Sequence, residues 1–245
     1  PRDDQLRLFE NHALVYEWVY RLGSAGPGVE PTFRVAIWLQ SAATAIALLA
    51  VLVALKAPTV ALPVVLGLGA VVRVDGLGRG DFGGFISPFF HHQNVALLLV
   101  LGAIAAALFR RNWLAGALLG LAAYAQPMTA FHGALAAGLG ALALHPLGAI
   151  KMAIAAIAVA LPFALPILGS VFGAPETEVA IDLIHDAYRF RSPVHYDPSW
   201  SSVGLTTLYL LAGWAGVGLL SRTDRTVARI AAGLMAGFTL LILVT

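Results

Sequence analysis

The chain has no cysteine, and only 11% of its 245 residues are charged. The first absence excludes disulfides and thiolate metal sites. The second excludes an ordinary soluble domain, in which about a quarter of the residues carry charge. Two catalytic signatures are also missing: there is no His-Glu-x-x-His zinc motif and no Gly-Lys-Ser/Thr nucleotide loop. What is plentiful is apolar surface, with 59% hydrophobic residues and a mean hydropathy of +0.83.

A bilayer core about 30 Å thick needs roughly 20 apolar residues per crossing helix. About eight apolar stretches meet or approach that length, near 33–55, 57–72, 92–109, 113–126, 128–144, 147–169, 203–220 and 227–245. The expected fold is therefore all-α, a polytopic transmembrane bundle forming one module over 1–245. Its parts are a first outer loop with a surface helix (1–32), the main bundle (33–169), a long outer loop (170–202) and two further spans (203–245). The chain opens at Pro1 without a signal peptide and ends at Thr245 inside an apolar run, which reads as an internal piece of a longer protein lacking at least one earlier helix.

Charge gives the bundle a direction. The short loops and their helix edges carry Lys56, Arg110, Arg111, Lys151, Arg222, Arg225 and Arg229, and of 13 acidic residues only Asp224 lies among them. The other carboxylates and most histidines sit in three long loops, 1–32, 73–91 and 170–202. Basic short loops mark the cytoplasmic face, so the long loops should face outward. The pI near 9.2 then reflects membrane anchors and outer-loop arginines, and implies no nucleic acid.

Two amphipathic stretches belong to those outer loops. Over residues 5–22, Leu8, Val15, Val19 and Leu22 share a face opposite Arg7, Glu10, Glu17 and Arg21, as in a helix lying on a membrane surface. The run Gly23–Gly28 should end it. In 170–202, Pro175 and Glu176 suit a helix start, and Ile181, Ile184 and Tyr188 share a face. Between the spans, 113–144 would be about 48 Å long as one helix, too long for a single crossing. Gln126-Pro127 breaks it, which predicts two short passes meeting at Gln126–Thr129 below the outer surface, lining a polar cavity.

Several residues could carry chemistry, each with a plainer reading beside it. Asp3 and Asp4 could supply a general base at the outer face, or cap the helix beginning near Gln5. The glycine-rich run 76–84 with Asp81, followed by His91, His92 and Gln93 at a helix mouth, could approach a phosphate or serve as a connector. His91, His92, His132 and Asp81 allow a divalent metal only if the helix ends converge, because no spacing fixes ligand geometry; no cofactor is expected. Gln126 and His132 are costly in hydrocarbon and default to cavity lining. Arg189 and Arg191 could clamp a phosphate or anchor lipid headgroups, with His195 and Tyr196 following in the same loop.

A surface helix after Asp3-Asp4, short paired spans, and a long outer loop ending in Arg189-x-Arg191-Ser192-Pro193-x-His195-Tyr196 together resemble the C-type membrane glycosyltransferases. The resemblance is one of architecture and loop position. It implies a sugar donor on a polyprenyl phosphate and an active face away from the cytoplasm; transfer in one displacement step would invert the anomeric carbon. Under it, Asp3 or Asp4 takes the place of the catalytic base. Arg189, Arg191 and His195 lie in the late outer loop where donor phosphate is bound, with Tyr196 next to them as a further substrate-binding candidate, and His91, His92 and Gln93 border the active site. The expected setting is a multi-pass protein of a prokaryotic plasma membrane, with the bilayer and the lipid-linked sugar as partners and the acceptor unspecified. Two readings compete. One is a transporter or lipid flippase with an outward-facing anionic-substrate cavity, against which the absence of an internal repeat counts. The other is a scaffold subunit whose Gln126 and His132 contact another membrane protein.

Overall fold

The computed structural model describes residues 14–58, 61–63, 90, 92–173 and 200–244. Among them the chain is all-helical, with no strand. The main helices are α1 (Leu14–Ala25), α2 (Val29–Ala54), α3 (His92–Leu108), α4 (Asn112–Ala125), α5 (Pro127–Leu144), α6 (Pro146–Gly173), α7 (Trp200–Thr223) and α8 (Arg225–Val244). Among the described residues two helical stretches are long and apolar enough to cross a membrane, Val29–Ala54 and Pro146–Pro166, while the apolar cores of α3, α4 and α5 are shorter. The expected second span, 57–72, and the helix of 170–202 lie for the most part outside the described residues.

Helix ends follow local chemistry. Gly28, at φ 100°, precedes α2, and its carbonyl accepts from the Thr32 hydroxyl at 2.7 Å. At the far end Ala57 N–H reaches Leu52 O (2.8 Å) and Lys56 N–H reaches Val53 O (3.0 Å), the paired bonds of a Schellman cap. The same cap closes α3, from Arg111 to Ala106 O and from Arg110 to Ala107 O. Its left-handed position, usually glycine, holds Lys56 in one case and Arg110 in the other, at φ 55° and 58°. A cation there complements the negative end of the helix dipole. The helix α1 does not stop at Gly23 as expected but runs through it to Ala25. A Cβ on Gly23 would sit 2.7 Å from Val29 Cα, so this glycine permits close approach of α1 to α2 and does not break the helix.

Register follows from the contacts. The helix α4 runs parallel to α6, with Gly116 against Met152 and Tyr124 against Phe163. The helices α5 and α8 are antiparallel, Gly140 against Leu234 and Gly237 against Ala136. The helices α3 and α5 are parallel, with Val100 against Gly133, and α2 packs along α3. Lys56 Nζ meets Asp224 Oδ2 at 2.7 Å, and Gly148 abuts Asn112, so the turns at 55–57, 109–111, 145 and 224 gather at one basic end. The turn at Gly26–Gly28, Phe90 and Gln126 lie at the opposite end.

The core is built mostly of alanine: Ala96, Ala103, Ala115, Ala122 and Ala136 are each fully buried. Large apolar side chains point outward instead, with Trp38 77%, Ile46 67% and Ile157 62% exposed. A water-soluble bundle does the reverse, burying its leucines and isoleucines. Small residues at helix contacts with large ones outside is the pattern of helices associating in lipid.

Candidate functional site

At the end opposite the basic turns, four rings gather. Tyr16 of α1 meets Phe90 edge-on at 6.0 Å and His92 at 5.7 Å, and Phe33 of α2 meets Phe90 at 5.9 Å. Burial pushes the Tyr16 phenol above its usual value, with the His92 backbone pulling the other way, so it stays a neutral hydroxyl near neutral pH. His92 and Gln93 open α3, both partly buried, and Asn94 in the same turn is 8% exposed.

Gln126 arrives at the same level from α5. The register of Val100 against Gly133 puts Gln126 abreast of Gln93. Its backbone is extended (φ −160°), Pro127 occupies the first helical turn, and its side-chain oxygen accepts from Thr129 N–H at 3.1 Å as a helix cap. The neighbouring helices do not stop there. From Phe33, level with Phe90, α2 extends about 6 Å further to Val29, and from Phe163, beside Tyr124, α6 continues about 15 Å to Gly173 at 1.5 Å per residue. The polar turn of α3 and the α4–α5 junction therefore lie below the tops of α2 and α6. Continuing past Pro162 and Pro166, α6 gives up backbone bonds. The Tyr124 hydroxyl donates to the Val159 carbonyl at 3.0 Å, one turn before Pro162.

Of the residues expected to matter, the structure brings His92, Gln93 and Gln126 to one level. His132 sits about 9 Å deeper, six residues along α5, partly buried beside Phe131. Asp3, Asp4, Asp81, His91, Arg189, Arg191, His195 and Tyr196 lie outside the described residues. Among the described residues no group of three His, Asp or Glu side chains is placed to hold a metal ion.

Three buried polar residues were not singled out from sequence: Gln40, Thr44 and Asn94, at 5%, 2% and 8% exposure. The Thr44 hydroxyl donates to Gln40 O at 2.8 Å, which satisfies it within its own helix. Gln40 Oε1 and Asn94 Nδ2 are buried with no hydrogen-bond partner. An orphaned amide in an apolar interior costs about 1–3 kcal/mol, so the pair is expensive unless something else uses it. Following Phe33 against Phe90, Gln40 lies about one turn below Asn94 along the seam of α2 and α3. The available signal was a glutamine and a threonine inside a 26-residue apolar helix.

Ring faces together with amide donors and acceptors suit a hydroxylated ligand, with apolar ring faces and polar edges each matched. The described carboxylates nearest this level, Glu17 beside Tyr16 and Glu30 one turn from Phe33, are each ion-paired within their own helix, to Arg21 and to Arg34. No protein-family model matches the chain, and no curated protein or solved structure matches it either.

Proposed function

We propose that this chain is the membrane module of a glycosyltransferase that moves a sugar from a polyprenyl phosphate to an acceptor on the non-cytoplasmic side. The observation that carries the reading is the recessed level shared by the Tyr16–His92 contact, Asn94 and Gln126, at the end opposite the basic turns. In a multi-pass bundle the basic end faces the cytoplasm, which directs this level outward. Polar side chains held inside an apolar bundle are otherwise costly, and they mark substrate paths by default.

The division of labour follows from chemistry. The lipid-linked donor enters from the bilayer with its phosphate held by Arg189 and Arg191. The sugar lies over the aromatic rings with its hydroxyls met by Asn94 and Gln126. Asp3 or Asp4 takes the acceptor's proton as its oxygen attacks the anomeric carbon, the polyprenyl phosphate leaves, and the centre inverts. The test is transfer from a defined polyprenyl-phosphate sugar by the reconstituted protein. Transfer lost in Asp3→Asn/Asp4→Asn and weakened at least tenfold in Asn94→Leu supports the reading. Unchanged transfer in both, or no transfer with any lipid-linked donor, overturns it.

One observation favours an outward-opening transporter instead. Gln40 and Thr44 continue the polar character of α2 deeper than Asn94, as a permeation path would. Under that reading, reagents would reach Gln40 from both sides of the membrane.

A further inference from the structure

A second feature lies near the opposite, basic end. A shallow, open groove of about 520 Å3 lies between α2, α3 and the start of α4. Its floor is small and buried: Ala47, Ala105 and Ala106 are each at most 7% exposed. Its rim is large and exposed, with Ile46 at 67%, Leu114 at 54% and Phe109 at 50%. A single charged residue lines it, Arg111, at the α3–α4 turn. Among the described residues no carboxylate pairs with Arg111 or with Arg110 beside it, whereas Lys56 on the same end is already paired to Asp224.

An apolar slot with an unpaired cation at its aqueous end is complementary to a molecule with a hydrocarbon tail and an anionic head. From Gly102 to Phe109 the slot runs about 10 Å along α3, enough for a stretch of one acyl chain. Trp113, 55% exposed on the first turn of α4, sits at the level where indoles favour the headgroup boundary. We infer that this groove binds one acyl chain of an anionic phospholipid from the leaflet at the basic end, with Arg111 and Arg110 meeting its phosphate. Each basic side chain near a membrane surface favours an anionic over a zwitterionic lipid by about fivefold. The inference rests on the membrane-spanning part of the reading above and is independent of sugar transfer.

The experiment is native mass spectrometry of the protein released from nanodiscs of mixed phosphatidylglycerol and phosphatidylcholine. The expected result is retained phosphatidylglycerol, preferred at least fivefold. Arg111→Gln should keep a bound lipid but lose most of the preference. Ala50→Phe, which fills the slot from a half-buried position, should release the lipid altogether. Gly102→Val serves as a second filling variant, because its Cβ meets only the end of Leu118, at 3.4 Å. Equal retention of the two lipids, retention unmoved by both filling variants, or a lipid signal replaced by inorganic phosphate or by a second copy of the chain would each overturn the inference. Sugar transfer that survives release of this lipid would leave the transferase reading intact, so the two can fail separately.

Discussion

The two faces of α4 follow opposite rules. Toward α6 it presents Gly116 and Gly120, so close that a Cβ on Gly116 would stand 2.1 Å from the Met152 carbonyl oxygen. Away from the bundle it presents Trp113, Leu114 and Leu121, each about half exposed. Close backbone approach maximises dispersion contacts where no hydrophobic gain drives helices together, and the bulky outer face needs a solvent that welcomes hydrocarbon. Under the membrane reading proposed above, the contrast reports the solvent as well as the packing.

The strongest way to break the comparison is to exchange the rules. Gly116→Leu drives a side chain into the α6 backbone and should cost more than about 3 kcal/mol, read as loss of a monodisperse peak in detergent and of the cooperative melt. Ile154→Asp, on the outer face of α6 at 52% exposure, separates the solvents. In a bilayer it costs about 3 kcal/mol and lowers membrane insertion; in water it would be close to neutral. Third is Asn94→Leu, which removes an orphaned buried donor and should raise stability by about 1–3 kcal/mol while weakening function.

The smallest effect belongs to the basic end. The Asp224 carboxyl is held below its ordinary 3.8 by the Lys56 ammonium first and by the Val227 and Thr226 N–H groups it caps. A carboxyl lowered on folding contributes stability above its unfolded value and loses it as pH falls through the folded one. Asp224→Asn should therefore remove a small component that is complete above pH about 3.8 and fades as pH falls below it, and Asp224→Ala should lose the cap as well. Melting curves from pH 3 to pH 7 would resolve the two.

Sequence reading recovered the helix breaks well, because proline and glycine act locally. Gln126-Pro127 separates α4 from α5 since Pro127 can open a helix but not continue one. The inward faces were much harder to find. These helices are apolar all round, so periodicity does not distinguish the alanine side from the leucine side. The usable clue was size: Gly116 and Gly120, four apart, mark the tight seam. Gly23 misled for a related reason, since a glycine that admits a neighbouring helix looks in sequence like one that ends its own. Gln40 and Asn94 were visible as polar letters, but that both lose their partners depends on how α2 and α3 pack.

The reading proposed above makes this a lipid-solvated bundle whose polar, aromatic end faces away from the cytoplasm. The absence of cysteine makes the direct test clean. Single cysteines at Gly26, Gln126, Arg110 and Ser221 would be labelled in intact cells with a membrane-impermeant maleimide, before and after permeabilisation. The account predicts labelling of Gly26→Cys and Gln126→Cys from outside, and of Arg110→Cys and Ser221→Cys only once the membrane is opened. Labelling of both pairs from the same side, or the reverse order, would contradict it.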